Sequence, residues 1–169
     1  MRLLAIAFIP LLFSCNVCKK GKNTEAQAQN KEIIKETADA VQFTEIKSGE
    51  NSSYKKAQNT VISTQKEMDL AWGEMFAAYS RKPPIPMMDF EKSQFLLITM
   101  GEQANGGYSA KVKSIVKTPK GMVVTIEDAK PGKTCNTTSA LTYPFQLIEM
   151  PKTDQALSYV RVAKVNECE

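Results

Sequence analysis

The run Phe95-Leu96-Leu97-Ile98, broken by Gly101 and followed by Asn105-Gly106-Gly107, constrains this chain more than any other stretch. The apolar run is far too short for a membrane span and suits a strand buried on both faces. Asn105, Gly106 and Gly107 tolerate positive φ, so the backbone there can turn back sharply and lie close to a neighbour or a ligand. Tyr108, Ala110 and Val112 then alternate with Ser109, Lys111 and Lys113, the period of a strand with one buried and one wet face. Residues 95–116 therefore read as strand, loop and strand in a hairpin-like unit.

The beginning of the chain has a different character. Arg2 precedes an apolar stretch over residues 3–13 of signal-peptide rather than transmembrane length. Leu12-Phe13-Ser14-Cys15 resembles a bacterial lipoprotein box, with a small residue directly before the cysteine that would be lipidated. Residues 1–14 are thus expected to be a lipoprotein signal peptide, with Cys15 anchoring the mature protein in a lipid membrane of the bacterial cell envelope. Residues 15–40, rich in Lys, Glu, Gln and Asn, cannot bury enough apolar surface to order themselves, and they read as a flexible tether. The globular domain is expected over 41–169.

Export makes a disulfide the natural reading of two further cysteines. Cys135 and Cys168 have no CxxC neighbour and the chain contains no histidine, so a structural bridge between them is favoured over redox or metal chemistry. Cys18 lies in the tether, and its spacing from Cys15 straddles a processing site.

Within the domain, Val41, Phe43 and Ile46 suggest a first strand and Thr60-Val61-Ile62 a second. Thr64 followed by Glu67 matches a capping box, and Met68, Ala71, Trp72, Met75, Phe76 and Tyr79 recur at helical spacing. Trp72 on that stripe is read as a packing residue rather than a sugar-stacking platform. Strands follow at 95–98, 108–116, 122–127, around Pro144 in 141–150, and at 157–165, with a turn at Pro119-Lys120-Gly121 and a polar loop over 128–140. Strands without βαβ alternation predict an α+β fold, a mainly antiparallel sheet, curled or sandwich-like, carrying one main amphipathic helix.

Chemistry is sparse. The missing histidine removes the commonest general base, and no GxSxG, SxxK or phosphate-binding glycine loop replaces it. Asp89 with Glu91, and Glu127 with Asp128, read as solvated charges rather than acid/base pairs. The formal net charge of +4 is spread along the chain, which argues against nucleic acid as a partner. No catalytic residue, metal site or cofactor is expected.

Asp89-Phe90, the segment FLLITMGEQANGGYSAKV, and Tyr143-Pro144-Phe145-Gln146-Leu147-Ile148 with Pro151-Lys152 resemble the C-terminal domain of PrcB-type lipoproteins, subunits of a bacterial surface protease complex. The resemblance covers roughly residues 89–162, with a looser echo from Val61 to Trp72. It implies a membrane-tethered, non-catalytic accessory protein that binds and stabilises an exported protease or another envelope protein. The glycine loop is also similar to a strand-connecting loop of chagasin-type protease inhibitors. Gln103, Asn105, Gly106, Gly107 and Tyr108 are therefore candidates for a partner-binding loop, while the same glycines could simply satisfy a tight turn. A domain that binds an envelope glycan or small ligand is the alternative, and a hydrolase with unrecognised groups is the third reading.

Overall fold

The computed structural model describes residues 39–168. The lipoprotein signal, Cys15, Cys18 and nearly all of the tether lie outside them. The described chain forms β1 (Thr44–Gly49), β2 (Ala57–Ile62), α1 (Gln65–Met75), β3 (Ser93–Met100), β4 (Ser109–Thr118), β5 (Gly121–Pro131), β6 (Phe145–Pro151) and β7 (Leu157–Asn166). Four strands make one sheet in the order β1-β6-β3-β2, and three make a second in the order β4-β5-β7. The expected α+β class, with mainly antiparallel pairing and one helix, is what the chain adopts.

β3 explains the layering. All six residues from Gln94 to Thr99 are buried, so neither face of the strand can meet water. Phe95 and Leu97 point into a cluster with Met68, Trp72, Met75 and Phe76 of the helical segment. Leu96 and Ile98 point the other way, into a cluster with Val112, Ile115, Val124 and Ile126 of the second sheet. Alternation along one strand thus feeds two cores, each fully buried aliphatic or aromatic side chain contributing about 1.5–3 kcal/mol.

The unit expected to be a hairpin is not one. β3 pairs with β2 on one side and β6 on the other, which leaves no free edge for β4. β4 lies in the second sheet and pairs with β5, so residues 101–108 cross from one layer to the other. The true hairpin is β4–β5, closed at Pro119-Lys120 with Gly121 at φ 127°. β5 also runs on to Pro131, into what reads as loop in the sequence.

The last strand is the parallel exception in a mainly antiparallel fold. β6 belongs to the first sheet, so the chain runs back to the hairpin end before β7 begins, and β7 aligns parallel to β5 from Met122 opposite Leu157 to Pro131 opposite Asn166. The second sheet is therefore mixed.

The helix starts as its sequence signal requires. Thr64 Oγ1 accepts from the Glu67 N–H, and the Glu67 carboxylate accepts from the Ser63 and Thr64 N–H groups. These bonds, that from Ser63 foremost, hold the Glu67 carboxyl below its usual range. Trp72 is 4% exposed and its Nε1 donates to Pro83 O at 2.9 Å, which ties the proline segment to the helix and fits a packing role. Tyr79, grouped with the apolar stripe in the sequence, lies beyond the helix end and is exposed, because α1 stops at Met75.

Cys135 and Cys168 form a disulfide with Cα atoms 5.0 Å apart. Beside it, Thr134 Oγ1 donates to Cys168 O and the Gly132 N–H donates to Asn166 O.

Candidate functional site

Strand directions bring the β1–β2, β3–β4 and β5–β6 connections, with the disulfide, to one end of the domain. Every proposed loop residue lies there. The loops are joined chiefly through backbone groups. Gln103 and Thr142 exchange both N–H···O bonds, Thr142 Oγ1 donates to Asn105 O at 2.7 Å, and the Gly106 N–H donates to Thr138 O at 3.1 Å. Tyr143 receives the β1–β2 connection: its carbonyl accepts from the Ser52 N–H and hydroxyl, its N–H donates to Glu50 O, and its phenol donates to the Glu102 carboxylate at 2.9 Å. That carboxylate raises the Tyr143 phenol above its usual range.

The glycines are required by these contacts. Gly101, at φ 76°, would place a Cβ 2.8 Å from the Ala57 nitrogen. A Cβ on Gly106 would meet Thr138 Oγ1 at 2.6 Å. Gly107, at φ 87°, is exposed and packs over Pro131 and Thr137. Glycine conformational freedom thus lets the 101–108 crossover lie against the disulfide-closed loop. Gln103, Asn105 and Tyr108 are each partly exposed, Gly106 is buried, and Ala104 and Leu141 stand exposed beside them.

Gln103 Nε2 turns inward to Met100 O. Asn105 Oδ1 is the buried side-chain acceptor left without a hydrogen-bond partner among the described residues. An unsatisfied buried acceptor costs on the order of 1–3 kcal/mol, so it is an anomaly in a loop otherwise well bonded.

The carboxylate pairs have structural work of their own. Asp89 caps the turn before β3 and pairs with Lys92. Glu127 faces Lys164 and Lys113 on the outer side of the second sheet, whereas Asp128 points inward to Arg161. Neighbouring strand positions project to opposite faces, so Glu127 and Asp128 share no site. Among the described residues no three His, Cys, Asp or Glu side chains gather as a metal-holding group. Grooves of about 520, 310 and 270 Å³ lie on the surface; Trp72, Tyr143 and Tyr159 line none of them, whereas Phe76, Tyr79 and Phe145 line the first.

These features define a two-sheet domain with one helical layer, whose interlocked loops gather at one end. Residues 94–151 match the family model described as PrcB C-terminal. The match spans β3 to β6 with two of the three converging loops, and it leaves out β1, β2, α1 and β7. No curated protein matches the chain, and no solved structure matches it.

Thr138, Thr142, Glu50 and Ser52 join the site without having been singled out in the sequence. Most act through backbone atoms that carry no residue signature. The Tyr143-Pro144-Phe145 segment was the available signal, because a proline directly before a buried strand marks a fixed entry into it.

Proposed function

We propose that this protein is a membrane-tethered, non-catalytic accessory subunit that binds and stabilises an exported protease, or another envelope protein, through the loop end of the domain. The family match over residues 94–151 carries the accessory role. Placement at the loop end is supported by the partly exposed Gln103, Asn105 and Tyr108 and by the exposed Gly107. Backbone bonds and the disulfide hold the loops in one shape, which lowers the ordering entropy that binding must overcome. Tyr108 supplies an amphipathic aromatic of the kind that anchors interfaces. Cys15, acylated, would hold the domain at the lipid surface of the cell envelope.

Comparative capture tests this reading. Full-length protein, with Ala104→Arg and Tyr108→Ala variants and a Lys120→Ala control at the opposite end, is used to capture envelope proteins, which are then identified. An exported protease bound by the parent and the control but lost from both loop-end variants is the expected result. Equal capture by all four proteins contradicts the loop-end placement.

A further inference from the structure

A sheet edge offers unpaired N–H and C=O groups to any passing strand, and folded proteins usually blunt it. Three of the four edges here are blunted. β1 carries a register shift between Glu45 and Lys47. β4 carries another between Val112 and Ser114, and is also covered where the Val41 N–H donates to Ile115 O and the Lys117 N–H to Asp39 O. β2 is only six residues long. β7 differs from all of them: it runs for ten residues, pairs with β5 without any register shift, and contains no proline. Among the described residues its backbone bonds only to the β5 side and to Gly132.

β7 is also unusually exposed for so regular a strand. Val160 is 47% exposed, Val162 36% and Val165 45%. Side-chain burial alone does little to hold it, yet its far end is fastened by the disulfide at Cys168. Its two cations are already matched within the chain, Arg161 to Asp128 and Lys164 to Glu127. A second β7 could therefore approach without uncompensated charge.

We infer that β7 is a self-association edge, on which β7 of a second copy of this chain pairs antiparallel about a two-fold axis at Arg161. Residues directly opposite in an antiparallel pair share a face. In this register Val160 lies opposite Val162 of the second copy, and Val162 opposite its Val160, on the outer face. On the inner face Leu157 meets Val165, and Tyr159 meets Ala163. Apolar residues face apolar residues on both sides of the axis, Ser158 faces Lys164, and the two Arg161 side chains, opposite each other at the axis, remain clamped by their own Asp128. A shift of the axis to residue 162 would instead set Val160 against Lys164, so the apolar match selects the first register. The result is one continuous sheet across both copies, the isologous geometry of a two-fold dimer. This surface is separate from the loop end, so the proposed partner binding and self-association can fail independently.

The test uses full-length protein in detergent, with protein mass measured by sedimentation across a concentration series. The parent is expected to reach the dimer mass. Val160→Lys and Val162→Lys, on exposed positions, are expected to leave a folded monomer that still melts cooperatively. Mixing Val160→Cys with Val162→Cys chains is expected to give a 160–162 interchain disulfide, identified in the peptide map, which neither variant forms alone. A monomeric parent throughout the series overturns the inference. So does a dimer that both lysine variants leave intact, or a parent monomer that pairs through β7 only with a different captured protein.

Discussion

β3 and β7 are both regular strands in the same small domain, and they are held in place by opposite means. β3 sits between two neighbours and between two apolar layers, with Phe95 and Leu97 under the helix and Leu96 and Ile98 under the second sheet. β7 has one neighbour, a mostly exposed surface, an ion-pair clamp at Arg161 and a covalent staple at Cys168. Stability is therefore distributed unevenly: the centre relies on burial, whereas the margin relies on specific cross-links. The matched family segment ends before β7, so the centre with its crossover loops is the shared part, and the stapled margin lies outside it.

The larger loss is expected at the centre. Leu97→Ala should lose about 3–4 kcal/mol in chemical denaturation, since Leu97 is wholly buried and the surrounding layers cannot collapse onto the cavity. A loss near that of a surface change would remove β3 from its role.

At the margin, replacing Cys135 and Cys168 together by serine should lower stability by about 2–3 kcal/mol, measured in the same way. Arg161→Ala should follow at about 2 kcal/mol. The guanidinium bonds Asp128 at 2.9 Å, Asn59 at 2.8 Å and Thr99 O at 3.0 Å, and so joins β7 to β5 and to both β2 and β3. Its removal leaves a partly buried carboxylate without its partner.

Smaller effects sharpen the contrast. Thr64→Ala should cost about 1 kcal/mol through loss of the helix cap. The Glu67 carboxyl is held below its usual range, so its contribution is full above the pKa of the unfolded glutamate and is lost as pH falls through the folded value. Glu67→Gln should accordingly flatten the acid limb of a melting-temperature profile and leave the neutral limb nearly parallel to the parent.

How much of this was legible in the sequence follows the same division. Local signals were readable: the apolar run of β3, the Thr64 and Glu67 box, the Pro119-Lys120-Gly121 turn and the cysteine pair each specify structure through neighbouring residues. Sheet membership was not. Whether β4 follows β3 as a hairpin or crosses to another layer depends on β2 and β6 having occupied both edges of β3, a fact spread over residues 57–151. The parallel direction of β7 likewise follows from where β6 lies. At the loop end, the glycines were visible but their neighbours were not, because Thr138 and Thr142 engage the crossover largely through main-chain atoms.

Amide hydrogen exchange, followed before and after reduction of the Cys135–Cys168 bond, tests the division between buried centre and stapled margin most directly. β7 amides should lose protection on reduction, while those of Phe95 to Ile98 continue to exchange only through global unfolding. Simultaneous loss of protection in both strands, or none in β7, would contradict it.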